Sequence, residues 1–234
     1  MRRSAITGAL LALVLAAAAA PAGAATLTVD RPCYRAGPPG GFNGQTVALT
    51  GSGFTPNSQV TLTLGGEALQ PPLTSDGAGA VAGSFPAPSL AGRRFGATRT
   101  LSASDGANQA GVPVVLRRLA ADFLPGDVGS PRQRVRFYVY GFGARLAELG
   151  RSTAQPVYQH VLDPAGRRRA TFLLGRPRGP CGDLRTAPRS ALPFRRLNAG
   201  LWRFVFTTRV RYSARSDPQA FVGLRLRLIF RRPG

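Results

Sequence analysis

The alternation of apolar and polar residues between Val47 and Leu64 constrains the fold of this chain more than any other feature. Val47 and Leu49 lie two residues apart, and after the break GSGFTPNS the alternation resumes at Val60 and Leu62. A period of two gives each segment one apolar face, as in a half-buried β-strand. Gly, Pro, Asn and Ser between the segments favour a turn. The stretch therefore predicts two consecutive strands of an antiparallel β domain.

Further short segments of this kind follow along the chain, and none has a long helical period. The predicted strands comprise residues 26–29, 80–85, 98–104, 112–116, 119–123, 135–139, 157–162, 169–174, 201–212 and 221–231. Residues 67–76, with two consecutive prolines, and residues 175–193 predict irregular connections, and residues 144–150 predict a helical turn or a loop. Many short strands at regular spacing are typical of a β-sandwich, so the predicted fold class is all-β.

An internal repeat divides the predicted strands into two sets. Gly53-Phe54 is followed by Asp76–Gly79 and by Phe85, nine residues after the Asp, and the same order recurs with Gly141-Phe142, Asp163–Gly166 and Phe172. Asp at the start and Gly at the end of such a segment favour a tight turn. Each turn predicts a hairpin that places a Phe at the same depth in a core. The repeat favours duplication or a shared fold for the two halves.

The first 24 residues have the order of regions found in a secretory signal peptide. Arg2 and Arg3 precede an apolar run that ends at Ala20, and Ala22-Gly23-Ala24 is a small-residue cleavage site. The run is short and rich in Ala for a membrane span, which leaves an uncleaved anchor as the alternative. We expect cleavage after Ala24 and a secreted or cell-surface-associated protein with two domains, at residues 25–118 and 119–234.

The motifs of both halves resemble known families. The segments GSGFTPNSQVTLTL, SDGAGAVAGSFPAP and LSASDGANQAG resemble the bacterial Ig-like domains of exported actinobacterial proteins, although Asn57 stands where Gly is usual. The segments RGPCGDLRT, PFRR and GLWRFVFTTRVRYS are similar to an Arg-rich domain of exported actinobacterial proteins of unassigned function. The resemblance implies two tandem Ig-like β-sandwich domains and export. Function does not follow, because such a fold hosts many roles.

The chain contains two cysteines, Cys33 in the first predicted domain and Cys181 in the second. In an oxidising exterior the default state of such a pair is a disulfide. The bond would close a long loop and would hold the two domains at a defined angle. Two buried free thiols and an intermolecular bond are the alternatives.

Residues suited to catalysis or metal binding are scarce. His160 is the only histidine, and no Cys–His pattern accompanies it. A nucleophilic Cys and a zinc site are therefore not expected. The ten acidic residues mostly adjoin Gly, Pro or Arg, as turn residues do. A glycosidase pair of carboxylates stays open, since such pairing is spatial, but we expect no enzyme and no cofactor.

The positive charge lies mainly in the second half of the chain. All 31 basic residues are Arg, and the formal net charge is +21. Residues 25–118 contain seven Arg and four acidic residues, whereas residues 119–234 contain 22 Arg and six acidic residues. This asymmetry points to an anionic partner. The absence of Lys also fits the coding bias of a GC-rich genome, under which the Arg excess has no specific role.

The predicted strands of the second half place arginines opposite apolar residues. The predicted anion-binding residues are Arg134, Arg136, Arg203, Arg209, Arg211, Arg225, Arg227 and Arg231. If their strands are neighbours in one sheet, these guanidinium groups form one outer face suited to phosphate, carboxylate or sulfate polymers. The alternative is a solvated face whose charge protects an exposed sheet edge.

We expect from these features a non-enzymatic structural or adhesion protein whose second domain contacts an anionic envelope polymer or lipid headgroups. A soluble protein-binding module or inhibitor is the alternative, and a cell-wall enzyme is a third. Nucleic acid is not expected as a partner, because export removes the usual target and the sequence shows no aromatic stacking platform.

Overall fold

The computed structural model describes residues 24–38, 44–92, 94–126, 130 and 133–227. The predicted signal peptide therefore lies outside the described residues, except for Ala24. The end of the strand predicted at 221–231, with Arg231, also lies outside them.

The strands before residue 118 form two sheets. They are β1 (Thr26–Val29), β2 (Tyr34–Arg35), β3 (Thr46–Ser52), β4 (Gln59–Leu64), β5 (Glu67–Thr74), β6 (Val81–Pro86), β7 (Gly96–Ser104) and β8 (Gln109–Arg117). One sheet has the order β1-β3-β6, and the other has the order β2-β8-β7-β4-β5. All pairs are antiparallel except β2 with β8.

The later strands form two further sheets. The elements are β9 (Ala120–Leu124), β10 (Arg134–Tyr140), α1 (Phe142–Glu148), β11 (Val157–Leu162), β12 (Arg168–Gly175), β13 (Leu184–Arg185), β14 (Arg189–Ser190), β15 (Gly200–Thr207) and β16 (Gln219–Leu226). In one sheet β10 pairs with β9, β13 and β14, and the other sheet has the order β12-β11-β15-β16.

Each pair of sheets encloses its own apolar core. The first core includes Leu49 and Phe85 from one sheet and Leu62 and Leu101 from the other. The second core is rich in aromatic side chains, and Phe137 contacts Phe204 edge to face across it, with ring centroids 5.0 Å apart. The predicted all-β fold, built of β-sandwiches, is thus confirmed. The boundary between residues 118 and 119 stays a prediction, although no buried residue is shared between these two cores within the described chain.

The stretch from Val47 to Leu64 forms two strands, as predicted, but β3 and β4 do not pair with each other. β3 pairs with β1 and β6, whereas β4 pairs with β5 and β7 in the opposite sheet. The turn between them carries the chain across the sandwich. Phe54 lies buried in this crossing, and Asn57 adopts a left-handed conformation with φ of 55°. Asn tolerates this conformation better than most residues other than Gly.

Two predicted irregular connections contain strands. Residues 67–74 form β5, and its consecutive prolines are tolerated because β5 is an edge strand that pairs only with β4. Residues 184–185 and 189–190, within the predicted loop 175–193, pair with β10. Both predictions were wrong because proline content does not reveal which strands lie at an edge.

Two other segments differ in extent from their predictions. The segment that left open a helical turn or a loop forms the two-turn helix α1. The strand predicted at residues 201–212 ends at Thr207. Beyond it the chain leaves the sheet, and Val210 is largely exposed instead of facing the core.

The two Asp-x-x-Gly segments form the same turn. Oδ1 of Asp76 accepts hydrogen bonds from the amides of Ala78 and Ala80, at 2.9 and 2.8 Å. Oδ1 of Asp163 accepts them from Ala165 and Arg167, at 3.0 and 2.9 Å. In both turns the closing glycine has positive φ, 74° at Gly79 and 77° at Gly166, and donates to the carbonyl of the Asp. The predicted turn chemistry therefore matches in both halves.

The connections made by these two turns differ. The Asp163 turn closes the predicted hairpin, since β11 and β12 are paired neighbours. The Asp76 turn joins β5 to β6, which lie in different sheets, so the hairpin predicted there was wrong. Phe85 is buried and Phe172 is only half-buried, which also contradicts their expected equal depth.

Candidate anion-binding surface

The structure separates the arginines that were expected to share one sheet. Arg134 and Arg136 lie on β10, whereas Arg203 lies on β15 and Arg225 on β16, in the other sheet. Arg209 and Arg211 follow the end of β15, Arg227 follows β16, and Arg231 lies outside the described residues. The single basic sheet face was therefore wrong for Arg134 and Arg136. Alternation along a strand identifies its outward residues but not the sheet that the strand joins.

The two groups of arginines face away from each other. Phe137 of β10 and Phe204 of β15 meet in the core, so residues of opposite parity on these strands point outward on opposite sides of the sandwich. We name the outward side of β10 and its neighbours the β10 face, with Arg134, Arg136, Tyr138, Tyr140 and Arg185. We name the outward side of the other sheet the β15 face, with Leu201, Arg203, Phe221 and Arg225.

A stacked row of side chains runs along the β10 face. The rings of Tyr138 and Tyr140 are nearly parallel, with centroids 6.3 Å apart, and Phe95 stacks on Tyr140 at 4.7 Å. The guanidinium carbon of Arg185 lies 5.6 Å from the centroid of Tyr138. Phe95 precedes β7 in the first half of the chain, so residues of both halves form the row. The sequence had shown no such aromatic platform, because Phe95 joins the tyrosines only in the folded chain.

A pocket of about 610 Å³ lies beside this row. Tyr138 and Tyr140 form part of its wall, together with Arg176, Arg178 and Arg185. Within the described part of the chain, none of these three arginines forms an ion pair with a carboxylate. Their charge is therefore available to an anion that enters the pocket.

The carboxylate that lines this pocket, Asp183, already accepts hydrogen bonds within the chain. Oδ2 of Asp183 accepts a hydrogen bond from Nε of Arg117 at 2.9 Å, and Oδ1 accepts one from the amide of Gly141 at 3.0 Å. Burial, followed by the charge of Asp122, raises the pKa of Tyr140 above its usual value. Tyr140 therefore stays a neutral phenol at physiological pH and can donate or accept a hydrogen bond.

The β15 face combines arginines with exposed apolar side chains. Phe221 is 68% exposed and Leu201 lies opposite Arg225 on the neighbouring strand. The segment after β15 folds back over one part of this face. There the ring of Tyr212 lies 5.4 Å from that of His160, and the carbonyl of Arg209 contacts the same imidazole.

His160 is a fully buried member of β11. Its Nδ1 lies 2.9 Å from Oγ1 of Thr171, and its Nε2 lies 3.1 Å from both Oγ1 of Thr207 and the carbonyl oxygen of Arg209. Burial lowers its pKa below the ordinary value. These partners account for the imidazole as part of the packing of the segment after β15 on the sheet.

Covalent and ionic contacts join the two halves. Cys33 and Cys181 form the predicted disulfide, with Cα atoms 5.2 Å apart, and both residues are buried. The guanidinium group of Arg35 donates two hydrogen bonds to Glu148 of α1, at 2.7 and 2.9 Å. Arg145 pairs with the same carboxylate and with Asp217. The halves are therefore held at one relative orientation by a disulfide and a chain of ion pairs.

The carboxylates of the described residues serve mainly in turns and in these ion pairs. Asp105 accepts hydrogen bonds from the amides of Thr55 and Asn108, both at 2.6 Å, and these bonds hold its pKa well below its usual value. Among the residues that the structure describes, no three His, Cys, Asp or Glu side chains are grouped so as to hold a metal ion. The described helix is also too short and polar to span a membrane.

Comparison with known proteins shows only weak similarity. No family model and no curated protein matches the chain. The human OSCAR ligand-binding domain is 14% identical over 86% of this chain and 97% of its own, with a TM-score of 0.33. Bovine butyrophilin is 12% identical over 89% of this chain and 100% of its own, with a TM-score of 0.29.

A larger structure also shows this weak similarity. The Group B Streptococcus pullulanase SAP is 13% identical over 77% of this chain, with a TM-score of 0.26, and the match covers 21% of the pullulanase. TM-scores at this level carry no inference about function. The resemblance to exported actinobacterial proteins stays a prediction.

Proposed function

We propose that the protein is exported and non-enzymatic, and that it binds an anionic polymer of the cell envelope through the β10 face. The proposal rests mainly on the pocket where Arg176, Arg178 and Arg185 adjoin Tyr138 and Tyr140. Guanidinium groups pair with carboxylate or phosphate in a planar, bidentate manner. Tyrosine offers an apolar ring and a hydroxyl to a sugar unit of the same polymer.

The charge balance supports a polymer with repeated anionic groups. Six of the acidic residues already form ion pairs with arginines of the chain. Because residues 119–234 contain 22 Arg and only six acidic residues, pairing within the chain leaves most of their positive charge without a counter-charge. Beyond the pocket, the β10 face continues to Arg136 and Arg134, so successive anionic groups of one chain can contact successive arginines.

Export is supported by the disulfide and by the N-terminal sequence. A bond between two buried cysteines suits an oxidising compartment. We expect secreted material to begin at Ala25. A mature protein that still begins at Met1 on N-terminal sequencing would contradict this part of the proposal.

The binding experiment compares two triple variants of equal charge. The first variant alters the pocket of the β10 face, which we call the β10 pocket, and is Arg176→Gln/Arg178→Gln/Arg185→Gln. The second alters the β15 face and the residue after β16, and is Arg203→Gln/Arg225→Gln/Arg227→Gln. The probe is polygalacturonate, with neutral dextran as its uncharged control, at low and high ionic strength. We expect the first variant to lose roughly tenfold or more in affinity and the second less than about threefold, and salt to weaken binding of the unaltered protein.

Other outcomes identify the alternatives. Equal losses in both variants would mean that net charge, and not the β10 face, accounts for binding. A loss confined to the β15 variant, with binding to phosphatidylglycerol vesicles, would favour lipid headgroups and the exposed Phe221. Capture of a protein from envelope fractions that is indifferent to salt would favour the protein-binding alternative.

A further inference from the structure

A second cleft, separate from the β10 pocket, opens at one edge of the second sandwich. It has a volume of about 340 Å³ and lies between β12, the edge strand of one sheet, and β14 of the other. Phe172, Leu173, Ala191 and Pro193 give it apolar walls, and Arg189 adjoins them. Sites for small molecules have this character, with volumes from about 300 Å³ upward and few polar groups.

Three polar residues line this cleft, Gln159, Arg189 and Ser190, and Gln159 is the only buried one among them. Gln159 lies on β11, where it faces the core in register with Phe172 and Phe206. It is only 2% exposed, and its Oε1 has no hydrogen-bond partner among the described residues. An acceptor buried without a partner carries a cost in stability. An apolar residue would avoid this cost at a position between two phenylalanines.

We infer that the cleft binds a small, mainly apolar ligand that donates a hydrogen bond to Gln159. The ligand class is a planar or aliphatic molecule with a hydroxyl or N–H group directed inward. Its apolar body lies against Phe172 and Pro193. An acidic group at its outer end pairs with Arg189, which has no carboxylate partner in the described part of the chain.

Three aromatic probes separate these contributions. Phenol carries the donor, toluene has nearly the same shape without it, and 4-hydroxybenzoate adds a carboxylate. Each is titrated into isotopically labelled protein of residues 25–234, and NMR shifts are followed at the Gln159 side-chain amide and the Phe172 ring. We expect phenol to bind about tenfold more tightly than toluene, because only phenol pairs with the buried acceptor.

Single substitutions assign the effect to residues. Gln159→Leu should abolish the preference for phenol over toluene without lowering the melting temperature, since it removes an unpaired polar group. Ala191→Phe should fill the cleft and weaken all three probes. Arg189→Gln should weaken 4-hydroxybenzoate alone. Gln219→Leu is the matched control, because Oε1 of Gln219 is also buried, has no hydrogen-bond partner among the described residues and lies outside this cleft.

The unaltered protein by itself can overturn the inference. Equal affinity for phenol and toluene would show that Gln159 does not select a donor. Absence of shifts at Gln159 and Phe172 with all three probes would show that the cleft takes no ligand of this class. Either result leaves the polymer proposal intact, since the two sites share no residue.

Discussion

The two Asp-x-x-Gly turns have the same hydrogen bonds in different surroundings. Asp76 is exposed, and its turn passes the chain from one sheet to the other. Asp163 is buried at the end of a hairpin, where its carboxylate also pairs with Nε of Arg167 at 3.2 Å. A short motif thus determines a turn, while the surrounding packing determines which strands the turn joins and how much it contributes to stability.

The glycine–phenylalanine pairs show the same division between the halves. Phe54 is buried where the chain crosses the first sandwich directly from β3 to β4. Phe142 is buried in α1, the helix that carries Glu148 to Arg35 of the first half. Each phenylalanine belongs to the core of its own half, but in the second half the motif also opens the helix that contributes Glu148 to the junction.

Removal of the disulfide should have the largest effect on this comparison. The bond closes a loop of 148 residues between the halves. In the chain-entropy model such a loop contributes about 4–5 kcal/mol. We expect Cys33→Ala/Cys181→Ala to lower the free energy of unfolding in urea by up to this amount. An unchanged unfolding curve, or a mass that increases on alkylation of the denatured protein without prior reduction, would show that the bond does not join the halves.

Truncation of either phenylalanine should lower stability by a similar amount, but the regions that become more dynamic should differ. Phe54→Ala and Phe142→Ala should each cost about 3–5 kcal/mol, because both side chains are buried. Hydrogen exchange should increase mainly in β3–β6 for the first variant and around α1 for the second. Increased exchange across both halves in either variant would mean that the halves unfold as one unit.

Neutralisation of the turn acids should destabilise the protein more at Asp163 than at Asp76. Asp163→Asn should lower the melting temperature by several degrees more than Asp76→Asn, because only Asp163 is buried beside an arginine. Burial opposes ionisation of Asp163, but hydrogen bonds from the amide and side chain of Arg167 prevail and lower its pKa. A carboxyl whose pKa is lower in the folded state than in the unfolded state stabilises the fold fully at pH values above its unfolded pKa. This stabilisation is lost as the pH falls through the folded pKa. The difference between the variants should therefore shrink as the pH falls through the folded pKa of Asp163, and a constant difference would exclude the charge as its cause.

The smallest expected effect contrasts a junction ion pair with a surface one. Hydrogen bonds from Arg35 outweigh burial and, with Arg145, lower the pKa of Glu148 to about 2. Glu148→Gln should cost about 1–3 kcal/mol near neutral pH. This cost is fully present above the unfolded pKa of about 4.5 and should vanish as the pH falls towards 2. Glu67→Gln is the control, because Glu67 is largely exposed beside Arg99 and should change stability by less than about 1 kcal/mol. Equal losses of stability in the two variants would show that the ion pair at the junction contributes no more than a surface ion pair.

Local patterns predicted much of the fold. The alternation at Val135, Phe137 and Val139 identified buried residues of β10, and the residues predicted at 157–162 coincide with β11. These predictions succeeded because alternation reflects the strand itself. The prediction failed at β5, since a strand with two prolines is acceptable only at a sheet edge, and edges are a property of the assembled sheet.

The candidate site was predicted in part. The outward position of Arg134, Arg136 and Tyr138 followed from the alternation along β10. Phe95 and Arg185 were not predicted, because they reach Tyr140 and Tyr138 only through long-range packing. Gln159 was also missed, since a single Gln in an alternating strand looks like any other polar residue until its burial is known.

The sequence by itself determined most of the strands, the two turns, the uneven charge and the pair of cysteines, because each depends on residues close together or on composition. Only the tertiary structure decided that β3 and β4 lie in opposite sheets and that the arginines divide between two faces. Strand pairing and sheet packing join residues far apart in the chain, and alternation is the same whichever partner a strand finds. The stretch from Val47 to Leu64 therefore indicates two strands, and the packing of the sandwich places them on opposite sides of one core.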